Sequence, residues 1–239
     1  MSGPQCFTNP PTLSSTAGSG SLQEIAGIKT YVSGSQDSKL AILMISDAFG
    51  YEAPKLRKLA DKVAGAGFLV VVPDLFYGDP FNDQKYATAV QSWLAAHPPS
   101  RGCDDARTLV ETLKNMGVSS VGATGFCWGG MVVAKLAKSY CIGAAVILHP
   151  GKISVEEIEE VKVPTAILGA EFDHICPAEL IKQLGDALST KPEIDSFVKV
   201  FPGVKHGWTL RYDDEDEEAI RVAEEAHSDM LNWLTNYIK

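Results

Sequence analysis

Cys127 stands in the run Val121-Gly-Ala-Thr-Gly125-Phe-Cys127-Trp-Gly129-Gly130. An apolar stretch ends there, a glycine-flanked turn follows, and an amphipathic segment begins. This is the Gly-x-nucleophile-x-Gly pattern of a sharp strand-to-helix turn, here with a thiol in the nucleophile's place. The chemistry explains the spacing. A turn this tight closes only if the residues two positions away carry no side chain. The sulfur then projects at the carboxyl end of a sheet, where the positive end of the new helix favours thiolate. The N–H of Trp128 faces a developing oxyanion. The competing reading is a buried structural cysteine, the fate of most free thiols.

Two residues downstream complete a candidate nucleophile, acid and base in that order. Asp173 follows the apolar stretch Thr165–Ala170, just past a strand's carboxyl end, where catalytic acids belong in open α/β sheets. His206 follows Phe197–Phe201 on a loop before the last helix. The remaining histidines are weaker candidates. His149 ends a strand and precedes a proline, lining the cleft or capping the strand, and His174 flanks Asp173. His97 and His227 fall on predicted helix surfaces or ends. A lone histidine seldom does chemistry, so a structural role is preferred for each.

Strands are predicted around Leu22–Ile25, Ile28–Val32, Leu40–Ile45, Phe68–Val72, Val121–Ala123, Ala144–Leu148, Thr165–Leu168 and Phe197–Phe201. Helices are predicted over Pro54–Ala66, Asp83–Ala96, Asp104–Met116, Trp128–Ser139, Ala178–Leu188 and Glu215–Tyr237. Strands alternating with helices imply a mostly parallel sheet covered on both faces. Residues 1–21, rich in Pro, Gly, Ser and Thr, read as an irregular arm tied down by Cys6 and Phe7. Residues 22–239 read as one α/β domain. The acidic run Asp213–Glu218 opens the last helix and reads as a favourable carboxylate cluster on a solvated face.

Composition narrows the function. The chain has 239 residues, 45% hydrophobic and 21% charged, which excludes a disordered chain. A net charge of −9 argues against nucleic acid or an anionic membrane as partner. No apolar run has the length of a spanning helix, and the N-terminus carries neither a secretory nor a transit signature. The five cysteines (Cys6, Cys103, Cys127, Cys141 and Cys176) are odd in number, widely spread and without CxxC spacing. They read as free thiols in a reducing compartment, with the cytosol as default location, and no metal site is expected.

Gly125-Phe-Cys127-Trp-Gly129-Gly130, Glu171-Phe-Asp173-His174 and His206-Gly207-Trp208 together resemble the dienelactone hydrolase, or carboxymethylenebutenolidase, family. Ser46-Asp47-Ala-Phe-Gly50 and Pro73-Asp74-Leu-Phe match its other landmarks. The resemblance runs from about residue 22 to the C-terminus and implies the α/β-hydrolase fold. The opening Met1-Ser-Gly-Pro-Gln-Cys, Asn9-Pro-Pro and Tyr31-Val-Ser-Gly-Ser are similar to plant members, some labelled endo-1,3;1,4-β-D-glucanase. The resemblance implies a triad of Cys127 as nucleophile, His206 as base and Asp173 as orienting acid. It implies oxyanion donors at the backbone N–H groups of Ala48 and Trp128. It also implies that Asp47, one methylene shorter than the family's bacterial Glu, pairs with the resting thiol. Bacterial members hold a substrate carboxylate with two arginines. Arg211 lies near one of those places, one residue late, while Pro73–Phe81 offers none for the other. That departure weighs against a diene-lactone acid as substrate.

The expected activity is hydrolysis of a small ester or lactone through an acyl-thioester, without a cofactor. Phe49, Tyr51, Phe76, Tyr77, Phe81, His149, Trp208 and Arg211 are the candidate pocket residues, with packing as the alternative role of the aromatics. A lyase or isomerase using the same Cys/His pair, and a slow-turnover receptor, are the rival functions. A redox-sensing Cys127 lacks a resolving partner, Cys176 being the one thiol expected nearby. Glycoside hydrolysis ranks low, because a thiol is unsuited to acetal chemistry and no carboxylate pair is singled out. The chain is expected to act as a monomer or homodimer.

Overall fold

The computed structural model describes Phe7, residues 9–82 and residues 90–239. Eight strands form one sheet: β1 (Ser21–Ile25), β2 (Ile28–Ser33), β3 (Leu40–Ile45), β4 (Leu69–Pro73), β5 (Ser120–Phe126), β6 (Ala144–Leu148), β7 (Thr165–Phe172) and β8 (Ser196–Lys205). Their spatial order is β1-β2-β4-β3-β5-β6-β7-β8. β1 pairs antiparallel with β2 and β2 antiparallel with β4, and every other pair is parallel. The described helices are α1 (Pro54–Ala64), α2 (Val90–Ala96), α3 (Pro99–Asn115), α4 (Trp128–Leu136), α5 (Val155–Glu159), α6 (Ala178–Ser189) and α7 (Glu217–Tyr237). None is long and apolar enough to cross a membrane. The mostly parallel sheet with helices packed on both faces is the architecture expected from the alternation in the sequence.

The two-residue period of the strands divides the core. Ala41, Leu43 and Ile45 of β3 join one apolar cluster with Val110 and Leu113 of α3, Val132 and Val133 of α4, and Ile181 and Leu184 of α6. Ile42 and Met44 point to the other face and pack with Leu56 and Leu59 of α1 and with Val222, Met230 and Leu234 of α7. Strands buried on both faces must be apolar at every position, which is why β3, β4 and β6 read as continuous hydrophobic runs.

Several boundaries differ from the sequence expectation. α3 starts at Pro99, where a proline fits the first turn and needs no N–H partner. The short α5 was not anticipated, although its capping box was present in Ser154-x-x-Glu157. Of the predicted helix 83–96, residues 83–89 lie outside the described residues, as does Cys6. α7 opens as expected, with the Asp216 carboxylate accepting from the Ala219 N–H.

The arm is fastened to α1 by one buried group and one partly buried group. Arg57, wholly enclosed, donates to the Tyr51 and Ser15 carbonyls and lies over the rings of both Tyr31 and Tyr51. Asp61 accepts from the Ser19 N–H and the Tyr31 and Ser33 hydroxyls. Partial burial pushes the Asp61 carboxyl up, but hydrogen bonds from Tyr31, Ser19 and Ser33 outweigh it and hold the group below its usual range. Farther along, Phe7 packs 3.9 Å from Phe81 and edge-on to Trp93, ring centroid to centroid for Phe81.

Candidate functional site

The elbow has the geometry its glycines imply. Cys127 takes φ 52°, ψ −109°, outside the regions open to most side chains, at the junction of β5 and α4. A Cβ on Gly125 would lie 2.2 Å from the Gly129 carbonyl oxygen, and one on Gly129 would lie 2.3 Å from that of Ile45. Both obstacles are backbone, which cannot swing aside. Gly129→Ala is therefore expected to destabilise the fold by at least about 2 kcal/mol, read as a lower urea midpoint. An unchanged midpoint would contradict this packing. The strained turn is held by the Cys127 N–H on Leu148 O, the Gly129 N–H on Ser46 O and the Gly151 N–H on Cys127 O.

Asp173 and His206 meet because of an irregularity between β7 and β8. The register runs from Thr165↔Ser196 to Ala170↔Phe201, then resumes at Phe172↔Lys205. β8 thus accommodates extra residues around Pro202-Gly203, with Gly203 at φ 74°, and its N–H donates to the Glu171 carboxylate. The residues that directly follow the ends of β7 and β8 are Asp173 and His206. The Pro-Gly pair that ends the predicted strand at Phe201 is instead a bulge that re-aims the histidine.

The imidazole Nδ1 lies 2.6 Å from Asp173 Oδ2, both side chains being essentially inaccessible. The other oxygen, Oδ1, accepts from the Ile175 and Cys176 N–H groups at 2.8 and 3.2 Å. Burial pushes the His206 pKa down. The charge of Cys127, hydrogen bonds with Asp173 and Cys127, and the Asp173 charge outweigh it and raise the pKa to about 9. Cys127 therefore lies beside the imidazole face that Asp173 leaves free. Cys176 is a different kind of thiol: burial and the Asp173 charge push it up to about 12, where it is inert.

Two backbone donors remain near the elbow. Among the described residues, the hydrogen bonds engage the N–H of Phe49, Cys127 and Gly129 but not that of Ala48 or Trp128. Asp47 is fully buried, and its observed partner is Arg211, with Nε 3.5 Å from Oδ2. The Phe49 N–H holds the other oxygen at 3.0 Å. Burial pushes the Asp47 carboxyl up, and Arg211, Phe49 and His206 pull it back only in part. The geometry thus gives Asp47 a guanidinium partner that the sequence reading, which paired it with the thiol, did not foresee.

The candidate pocket residues separate into groups. A cavity of about 480 Å³ is bounded by His206, Trp208, Arg211, Tyr212 and, from the arm, Asn9. A neighbouring space of about 460 Å³ shares Asn9, Arg211 and Tyr212 and adds Lys55 and Lys58. Phe49 and Tyr51 line a separate hollow of about 180 Å³ with Asp74. Phe76 and Phe81 are buried and packed with Trp93 and Trp128. Tyr77 is half exposed beneath Arg101. His149 is wholly buried against His206. Cys127 is 1% exposed and does not border the large cavity. His227, expected on a helix surface, is buried with Nε2 2.9 Å from the Thr209 carbonyl oxygen. His97 follows α2 and pairs with Asp79. No cluster of three or more metal-ligating side chains occurs among the described residues.

Comparison with known proteins follows the same lines. The family model described as "Dienelactone hydrolase family" matches residues 28–238. A Zea mays protein named endo-1,3;1,4-beta-D-glucanase is 38% identical over 80% of this chain, which spans 63% of that protein's length. A Xenopus tropicalis carboxymethylenebutenolidase homolog is 32% identical over 90% of this chain and 89% of its own. The crystal structure of a dienelactone hydrolase from Anabaena variabilis superposes with a TM-score of 0.64 at 16% identity, covering 92% of this chain and 97% of that one.

Proposed function

This chain belongs to the dienelactone hydrolase family, and on that premise we propose that it cleaves a small carboxylic ester or lactone with Cys127 as nucleophile. The observation that carries this reading is the buried Asp173–His206 pair at 2.6 Å, its imidazole raised to about 9 beside the elbow thiol. In that environment sulfur and imidazole share a proton as thiolate and imidazolium. The thiolate attacks the substrate carbonyl, forming a C–S bond. The N–H groups of Ala48 and Trp128 receive the oxyanion of the tetrahedral intermediate. His206 gives its proton to the leaving alkoxide, and the alcohol departs from a thioester. Water then attacks, His206 accepts its proton, and collapse expels the thiolate with the acid product. Asp173 holds the imidazole in the tautomer that directs Nε2 at sulfur.

The name of the maize relative concerns glycosidic bonds, whose hydrolysis needs two carboxyl groups flanking the sugar linkage. Here Asp173 is committed to His206 and Asp47 to Arg211. An ester is the better match to this arrangement. The test is acid-quenched intact-mass spectrometry during turnover of p-nitrophenyl acetate, with mixed-linkage β-glucan assayed in parallel. The expected result is p-nitrophenol release with one acetyl group on the Cys127 peptide and no reducing sugar from the glucan. A folded protein that shows neither release nor adduct would overturn the hydrolase reading and leave lyase, isomerase or receptor functions.

A further inference from the structure

The side chain of His149 has no part in the steps above, yet it is completely buried at the hub of the site. Its backbone is strained, at φ 33°, and is fixed by the His149 N–H on Leu168 O. Nearby residues of the same segment grip the elbow: Leu148 O accepts from the Cys127 N–H, and the Gly151 N–H, two residues after His149, donates to Cys127 O. The side chain reaches the other half of the site. Its ring stands edge-on to His206, with centroids 5.2 Å apart and planes at 68°, and to Trp208 at 5.3 Å. Its Nε2 lies 2.8 Å from Thr209 Oγ1, on the same turn as His206. His149 thus sits in the short segment 148–151 that bonds the nucleophile's turn at both ends, while its ring reaches the base's turn.

The geometry points to His149 as a positioning residue that fixes the His206 imidazole between Asp173 and Cys127, using its ring edge and its bond to Thr209. This rests on the proposed roles of Cys127 and His206. Such a brace must not itself carry charge, or it would repel the imidazolium it supports. Burial, the charges of His206 and Arg211, and more weakly His227 hold His149 well below the usual histidine range, against a small upward pull from its own backbone. The charged and titratable groups facing the pair are Cys127, Asp173 and Asp47 around His206, and Arg211 and His227 around His149. A backbone held at positive φ by a non-glycine residue fits a position where placement matters more than local comfort.

The test is a double-mutant cycle of His149→Phe, which keeps a ring but loses the Thr209 bond, with Thr209→Val, which removes the hydroxyl at nearly constant volume. Two readouts are taken: kcat and KM for p-nitrophenyl acetate, and the pH dependence of Cys127 alkylation by iodoacetamide. Each single variant is expected to lower kcat about 10-fold or more at similar KM, and the double variant no further than the worse single. The pH midpoint of alkylation is expected to move in all three. Unchanged kcat and an unmoved midpoint in folded Thr209→Val would overturn the proposal, as would fully additive losses. Alkylation needs no substrate, so it still reports on the brace if the ester reading fails. Wild type without esterase activity but with a shifted midpoint in Thr209→Val supports the positioning role alone.

Discussion

Cys127→Ala is expected to lower kcat/KM for p-nitrophenyl esters by about four orders of magnitude or more, the scale on which removal of a triad nucleophile acts. Only the chemistry should fail. Alanine can adopt whatever backbone Cys127 adopts, since both carry a plain Cβ, and the elbow's hydrogen bonds at residues 127, 129 and 151 are all backbone. The thiol also supports the His206 imidazolium through its charge and a hydrogen bond. In the variant, the His206 pKa is expected to fall from about 9, followed by its imidazole NMR resonances. Retained turnover would remove Cys127 from the mechanism. Lost turnover with an unmoved His206 titration would mean that thiol and imidazole do not share a proton.

Asp173→Asn is the second large effect, about 10⁴-fold in kcat. The direction follows from the second oxygen. Oδ1 accepts from the Ile175 and Cys176 N–H groups, so the asparagine must keep its carbonyl oxygen there. Its NH₂ then faces His206 Nδ1, where Oδ2 now accepts at 2.6 Å. Nδ1 becomes the acceptor, the ring proton moves to Nε2, and no lone pair is left to take a proton from sulfur. Stability responds as well. The folded-state pKa of His206 is raised above 6.5, so its contribution is fully present below pH 6.5 and is lost as pH rises through about 9. Wild type should lose urea resistance across that window, and Asp173→Asn should lose less of it. Equal slopes for the two proteins would contradict the pairing.

Much of this was legible in the sequence because it rests on local rules. Continuous apolar runs in β3, β4 and β6 and glycines placed around Cys127 follow from burial and sterics within a few residues. The β7–β8 irregularity was not legible: Pro202-Gly203 reads as a turn, and only the pairing with β7 shows that the strand resumes. The Asp47–Arg211 contact and the burial of His149 and His227 are equally non-local, set by how distant segments pack. Aromatic residues near the loops could not be divided by type alone. Phe76 and Phe81 took packing roles while Trp208 borders the cavity, since a ring serves either purpose.

The position of β8 has a consequence for when the protein becomes reactive. β8 is the edge of the sheet, bonded along one side only, to β7, and His206 follows its last residue. On the proposed roles, a nascent chain makes the Cys127 sulfur long before the His206 imidazole that would arm it, and chemistry would begin only when β8 docks. The reverse also holds in the mature molecule. Edge strands open more readily than central ones, so on the proposed roles any fraying of β8 would withdraw the base from the thiol while β3, β5 and β6 stayed in place. Competence would then be a property of the last-made border of the sheet, separable from the folding of its centre.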